Sequence, residues 1–444
     1  MPSHRSSART SDRVLSNLDE MEDAIMRNWL HLISLAVVMF FGFETLAAAD
    51  TFRIRLTGAR CADDPACHNR FHPAIAPVIT VKPGDTVIME TRDAFDGQIT
   101  RTSTAADVIP TFLGGPLNLN LVHPLTGPVA IKGAEPGDLL EVHIIDIIPD
   151  EDKFAYTINV PGFGFLRREI PGPAILHWDI KGDVATSRDL PGVRIHAEPS
   201  MGTTGIALSV AKTEEVFQRE HELAGRGGFV LEPNPDDAVP ARLCGHSGTV
   251  ASRCLRTIPT RENAGNIDVK QLTKGGTLLI PVFVPGALFS AGDAHFAQGD
   301  GEIAGTTMEM NVTLVVKFGL RKGAATRLGI TTFQFERDNY FAPPERAVPK
   351  RFFATTGISV DRVTGKNESE DLTLSARNAA LNMIDHLVRT RGLTRQQAYM
   401  LSSTAVDLHI NQLVDVPNFL VSAFLHLDVF RDEDRDEDRD EDKK

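Results

Sequence analysis

The segment Gly292-Asp293-Ala294-His295-Phe296-Ala297-Gln298-Gly299-Asp300-Gly301-Glu302 carries three carboxylates, one imidazole and one amide. Apolar runs flank it, Leu278 to Leu288 before and Met308 to Val316 after. The pattern predicts a tightly turning polar loop between buried strands. Polar groups this dense are costly to bury without partners, so the loop is either a solvated turn or a site. Its glycines let the backbone come close to a ligand or metal. Asp293 and His295 fall on the same side of an extended chain. With Asp268 of the upstream Gly265-Asn266-Ile267-Asp268, and with Asp300 and Glu302, they offer base, acid and ligand functions. Two chemistries fit. In one, a divalent metal held by Asp293, His295, Asp268 and Glu302 activates water; the imidazole suits zinc, and the acid-rich loop suits calcium or magnesium. In the other, Glu302 is a general base whose pKa is raised by neighbouring acids. Crowded acids repel without a cation, which favours the metal.

Other chemistries are disfavoured. The loop holds no cysteine for a thiol nucleophile, and Ser290 lacks a nucleophile-elbow context. Cys244-Gly245-His246 has no methionine to complete a copper site. No nucleotide or flavin is expected. The formal charge of −13 argues against a nucleic-acid partner.

Residues 263–305 resemble the acetamidase/formamidase family. The resemblance rests on Gly265-Asn266-Ile267-Asp268, an apolar strand ending in Pro281-Val282, Gly286-Ala287-Leu288, Gly292-Asp293-Ala294-His295 and Gln298-Gly299-Asp300-Gly301-Glu302. It extends to His68-Asn69-Arg70-Phe71-His72-Pro73, Glu90 to Gln98, Thr126-Gly127-Pro128, Gly133 to Asp138 and Ala398-Tyr399-Met400-Leu401-Ser402, covering roughly residues 50–420. It implies a hydrolase that cleaves short linear amides such as formamide and acetamide to ammonia and carboxylate, through metal- or carboxylate-activated water. It makes Asp268, Asp293, His295, Asp300 and Glu302 the catalytic candidates. Gln298, Met201, Gly202, His72 and Asp93 become candidates for substrate binding. His68, Asp96 and Gln98 are weaker ones, as is His177-Trp178-Asp179. The segment Pro199-Ser200-Met201-Gly202-Thr203-Thr204-Gly205-Ile206-Ala207 is more polar than the family's apolar pattern, which puts acetamide in doubt as the best substrate. A non-catalytic exported protein that binds small molecules on the same scaffold is the alternative.

The elements that must hold these residues are mostly strands. Period-two alternation dominates from residue 51 to about 340. A turn device recurs in Lys82-Pro83-Gly84-Asp85 and Glu135-Pro136-Gly137-Asp138, each feeding an apolar strand, and more loosely in Lys274-Gly275-Gly276-Thr277. Many short strands broken by Pro and Gly predict a sandwich or barrel. The family resemblance implies jelly-roll-like sheets with a smaller α+β part. Helices come late. Leu374, Leu381, Ile384, Leu387 and Val388 form a helical stripe that Gly392 can end, and Thr394 with Gln397 makes a capping box for a helix from Arg395 to about Val406. The expected class is thus mainly β (α+β), with a β-rich part over 50–260 and a core with the polar loop and C-terminal helices over 261–430.

The ends are set apart by composition. Trp29 to Phe43 is an apolar run followed by Leu46-Ala47-Ala48-Ala49-Asp50, a small-residue cleavage pattern. We expect a signal peptide over residues 1–49, with translation starting at Met26, and an exported mature chain. An uncleaved membrane anchor is the alternative, and no stable membrane partner is expected. Residues 431–444 repeat Arg-Asp-Glu-Asp and end in two lysines, a composition of solvated, disordered tails. Export would permit Cys61–Cys67 and Cys244–Cys254 bridges. A homo-oligomer is also expected.

Overall fold

The computed structural model describes residues 49–338 and 351–431. The expected signal peptide and nearly all of the charged tail lie outside the described residues. Strand accounts for 33% of the structure and helix for 20%. Among the described residues the sheets do not close into a barrel, so the sandwich form is the one adopted.

The body is built from β1 (Thr86–Thr91), β2 (Leu125–Ile131), β3 (Leu139–Pro149), β4 (Phe154–Asn159), β5 (Ala174–Lys181), β6 (Ser200–Gly205), β7 (Ala264–Asn266), β8 (Thr277–Pro281), β9 (Phe289–His295), β10 (Glu309–Met310) and β11 (Val312–Arg321). A six-stranded sheet runs Thr51–Ile54, β1, β11, β3, β8, Gln334–Glu336. A larger sheet of eleven strands runs from Arg194–His196 and Val184–Ser187 through β5, β4, β10, β9 and β6 to β7, with β2 branching off β9. The alternation in β11 shows why these residues form a sandwich. Val312, Leu314, Val316 and Phe318 point into the core, while Thr313, Val315 and Lys317 point away from it. Phe318 meets Phe289 of β9 edge-on at 5.2 Å, which ties the two sheets together.

The repeated turns behave as their sequence requires. Gly84 and Gly137 take φ of 97° and 92°. The aspartate after each accepts the backbone N–H three residues back, Asp85 from Lys82 at 2.9 Å and Asp138 from Glu135 at 2.8 Å.

Two expectations need correction. The polar segment at 292–302 is not a loop throughout. Its first part, to His295, is the end of β9, buried along its whole length. β9 has neighbours on both sides, so its backbone groups are paired and a polar sequence can stay extended in the interior. The boundary expected near residue 260 does not separate two cores either. The described residues from Asp50 onward form one compact unit, and strands from both sides of residue 260 interleave: β11 lies between β1 and β3, and β9 contacts both β2 and β6.

The C-terminal part is a smaller α+β layer. β12 (Phe352–Ile358), β13 (Val406–Gln412) and β14 (Leu420–His426) form a sheet in the order β12-β14-β13. Helices α1 (Val210–Gly225), α2 (Leu372–Arg391) and α3 (Arg395–Ala405) are the longest among the described residues. α2 ends at Gly392 with φ of 65°. The Thr394 capping box opens α3, with both reciprocal bonds present. Tyr399 on α3 reaches into the body: its hydroxyl donates to the Ile303 carbonyl and accepts from the Leu166 N–H at 2.8 Å. Among the described residues no helix is long and apolar enough to cross a membrane.

Both cysteine pairs are bridged, Cys61–Cys67 and Cys244–Cys254. Each closes a short loop. Loop-closure entropy predicts that replacing either pair by serines lowers unfolding stability by about 2–3 kcal/mol. Urea unfolding under non-reducing conditions measures this; a midpoint equal to wild type for both double variants would refute it.

Candidate active site

Neighbouring strands place one row of polar side chains on the same face of the large sheet. His295 of β9 is in register with Ser200 of β6 on one side and Glu309 of β10 on the other. Asp293, two residues before His295, shares that face. Asp293, His295 and Glu309 are almost wholly buried, at 3%, 0% and 1% exposure. Two loops complete the group. Asp268 follows β7, and its N–H donates to the Gly202 carbonyl at 3.2 Å. Glu302 sits in the turn after Gly299, its N–H donating to the Gly299 carbonyl at 3.0 Å. Asp268 and Glu302 are only half-buried, so they form the end of the cluster nearest solvent.

The backbone here is strained. Asp268, Asp293 and Glu302 have φ of 48°, 59° and 38°. Side chains with a Cβ rarely take this left-handed region, and such residues persist where surrounding structure forces them, often at functional sites.

Gly202 lies beneath the cluster. A Cβ there would come within 2.5 Å of Asp293 Oδ2, 2.7 Å of His295 Cε1 and 2.8 Å of Asp268 Oδ1. Any side chain at this position would force the three groups to move.

Gln298 fixes the imidazole. Its Nε2 donates to the Asp268 carbonyl at 2.6 Å, which leaves Oε1 facing His295 Nδ1 at 2.9 Å. An amide oxygen only accepts, so Nδ1 carries a hydrogen. His295 Nε2 then faces Asp293 Oδ1 at 3.6 Å and Glu309 Oε2 at 3.3 Å. A bare lone pair directed at two carboxylates is repulsive, so this position calls for a proton or a cation. Asp293 is further held by the Thr203 hydroxyl at 3.0 Å from Oδ2; the same hydroxyl lies 2.8 Å from Asn266 Oδ1 and donates to one of the two. His123 Nε2 stands 3.8 Å from Asp293 Oδ2.

The electrostatics follow from burial and crowding. Burial raises Asp268, Glu302 and Glu309 above the usual carboxylate range, with added repulsion from Asp293 at Asp268 and Glu309, and from Asp268 at Glu302. Burial works against the ionised form of Asp293 as well, but the His123 and His295 imidazoles outweigh it and hold Asp293 below the usual range. For His295 burial favours the neutral ring, yet Glu309 and Asp293 beside it raise its pKa well above normal. Burial depresses His123.

The donor set fits a metal ion. Asp268, Asp293 and His295 form one group of convergent ligand atoms, and His295, Glu302 and Glu309 an overlapping one, each within 4.8 Å. Asp268 Oδ1, His295 Nε2 and Glu309 Oε2 are buried without a hydrogen-bond partner. Oxygen and imidazole ligands converging in this way suit a divalent cation.

Several expected residues lie elsewhere. Asp300 turns away from the cluster: its carboxylate accepts from Gln271 Nε2 at 3.2 Å and stands 3.9 Å from Lys270 Nζ. Met201 is next to Gly202 and therefore projects to the opposite face, into the apolar core. His72 uses Nδ1 to accept from the Ala74 N–H at 3.1 Å, which pins a turn. Asp93 accepts from the Phe95 and Gly97 N–H groups and from the Tyr156 hydroxyl. Tyr156 is in register with Glu309, so Asp93 is one side chain removed from the cluster. His68 bonds Ser290 Oγ and the Arg70 carbonyl, Asp96 caps the Cys61 N–H, and His177 pairs with Asp189. Gln98 bridges the Phe95 and Asn118 carbonyls.

Glu309 and His123 were not anticipated from the sequence. Glu309 had a signal: an acid between Met308 and Met310 in an apolar run must find a partner when buried. His123, between Val122 and Pro124, had none that separated it from a structural histidine.

The chain is similar to proteins of a known family. The sequence profile of the acetamidase/formamidase family matches residues 54–432. The chain is 36% identical over 363 residues to the acetamidase of Mycolicibacterium smegmatis, across 76% of this chain and 85% of that protein. It is 34% identical over 379 residues to the formamidase of Methylophilus methylotrophus, across 83% and 90%. The solved gamma lactamase from Delftia acidovorans superposes with a TM-score of 0.79 at 34% identity, covering 86% of this chain and 93% of that one. The shared fold, the extent of the match and the level of identity together show that the chain belongs to the acetamidase/formamidase family.

Proposed function

We propose that the chain hydrolyses short linear amides to ammonia and the carboxylic acid, with the cluster around His295 as its active site. One observation carries this reading: Asp268, Asp293 and His295 present convergent ligand atoms against the bare backbone of Gly202, and Asp268 Oδ1 is buried there with no hydrogen-bond partner. The relatives named acetamidase and formamidase support the substrate class.

Amide hydrolysis needs a water that loses a proton, a carbonyl oxygen that gains charge, and a nitrogen that leaves protonated. Glu302, at the solvent-facing end, serves first as base and then as acid. A carboxylate whose pKa is raised takes a proton from water more readily and can return it to the leaving nitrogen. Asp268 faces the same end and orients the water. His295, locked by Gln298, keeps Nε2 directed at the reacting space. Asp268, Asp293 and His295 would hold a divalent cation there, which when bound supplies a lowered pKa for water and polarisation of the carbonyl. Gly202, having no side chain, lets Asp268, Asp293 and His295 pack directly against the β6 backbone.

The same proposal places the mature chain in an oxidising compartment. The two disulfides support it, since such bonds persist where thiols are not kept reduced.

Ammonia release from formamide, acetamide and propionamide, with γ-butyrolactam alongside, tests the reaction. Release from at least one linear amide is expected. No release from any of them, with and without added Zn²⁺, Mn²⁺ or Ca²⁺, sinks the reading. Faster turnover of the lactam than of every linear amide replaces it with a cyclic-amide reading. Asp293→Asn, His295→Ala, Glu302→Gln and Glu309→Gln should each lower kcat by about 100-fold or more while the circular-dichroism spectrum stays that of wild type. Near-full activity in all four would show that the site is elsewhere.

Gly202→Ala should abolish turnover, because the added methyl would push Asp293, His295 and Asp268 out of position. A variant with unchanged kcat/KM would show that the reaction does not depend on the placement of these three groups. For the cation, elemental analysis of the purified protein should find about one equivalent of a divalent metal. His295→Ala and Asp293→Asn should lose it. Full activity in metal-free, chelator-treated protein would instead leave the chemistry to the carboxylates alone.

A further inference from the structure

The loops that carry Asp268 and Glu302 converge on one carboxylate that sequence reading did not single out. Asp407, at the start of β13, is 8% exposed. Its Oδ1 accepts from Lys270 Nζ, two residues after Asp268. The same oxygen accepts from the Asp300 N–H at 2.9 Å, two residues before Glu302. Its Oδ2 lies 3.3 Å from His426 Nε2 on the neighbouring strand.

The surrounding bonds lock the second loop along its length. The Leu408 N–H donates to the Asp300 carbonyl at 3.2 Å. The Ser403 carbonyl accepts from the Gly299 N–H at 2.9 Å, and Ser403 Oγ accepts from the Ala304 N–H at 3.0 Å while donating to the Thr306 carbonyl at 2.8 Å. The first loop has fewer anchors: Gly202 and Gln298 hold the Asp268 backbone, and Lys270 supplies the one ion pair to the C-terminal layer.

We propose that Asp407 is a positioning residue for amide hydrolysis, a clamp that sets the Asp268 loop and the Glu302 loop at a fixed spacing. The proposal rests on the reading of the His295 cluster as an amidase site. Asp407 touches neither the cluster nor a substrate; it acts through Lys270 and the Asp300 backbone. Both gripped loops place an acid in the left-handed region, φ 48° at Asp268 and 38° at Glu302, so they need external restraint to hold that conformation. Errors in placement of about 1 Å can reduce turnover 100-fold without altering binding as much.

The experiment uses the full chain and two measurements. Lys270→Met and Asp407→Asn each remove the ion pair; both should lower kcat on formamide about tenfold or more, with KM within about twofold. The double variant should be no worse than the poorer single within about twofold, because both changes delete the same contact. Asp407→Ala also removes the acceptor for Asp300 and should fall further. Arg362→Gln breaks an ion pair with Asp385 on the outer side of the same layer and should leave kcat unchanged. In parallel, hydrogen–deuterium exchange should be about tenfold faster than wild type in segments 266–272 and 299–304 for Lys270→Met and Asp407→Ala, and unchanged for Arg362→Gln. Wild-type kcat in both ion-pair variants overturns the proposal. So does wild-type exchange in both segments. If the wild-type chain hydrolyses no amide, the functional reading fails, and the exchange measurement alone still decides whether Asp407 holds the loops.

Discussion

Four carboxyl groups and two imidazoles crowd one largely buried cluster in this protein. Moving an ion of this size out of water costs on the order of several kcal/mol, and like charges at close range add to that. Such a group is stable only if the number of protons and cations among its members is right. The rest of the site follows from this requirement. Gln298 fixes which nitrogen of His295 carries hydrogen. Thr203 and His123 secure the one acid, Asp293, that stays ionised most easily. Asp268 and Glu302 sit toward solvent, where protons can enter and leave.

The sandwich makes that crowding possible. β9 lies in the middle of the large sheet, so its backbone polar groups are already paired and its side chains alone face the interior. Pairing with β6 and β10 then brings residues from distant parts of the chain into one row. The second sheet covers the apolar face and excludes water. A site on a free loop would let the carboxylates swing apart and be solvated one by one.

Much of this was legible beforehand, for physical reasons. The two-residue spacing of Asp293 and His295 fixes their common face once the segment is extended. The density of acids around them marks a place where burial demands partners. The helices at 372–391 and 395–405 were readable because caps and stripes are local features. What failed depended on parity and on distance. Met201 is one residue from Gly202, and one residue reverses the face of a strand. Asp300 is two from Glu302, yet a turn sends its carboxylate to Gln271 and Lys270 instead. Glu309 was masked by the apolar run around it, and His123 reaches the cluster only through tertiary folding. The boundary near residue 260 failed for the same reason: strand exchange between sheets leaves no trace in local composition.

The contacts of α3 and β13 with the 299–306 turn have a bearing on biosynthesis. Tyr399, Ser403 and Asp407 come about a hundred residues after the turn they hold. The β body carrying Asp268, Asp293, His295 and Glu309 is complete far earlier. A nascent chain therefore holds its reactive groups long before it holds the residues that bring the last of them to order. A chain cut after β11 would keep Asp268, Asp293, His295 and Glu309 but lose every one of these α3 and β13 anchors of the 299–306 turn.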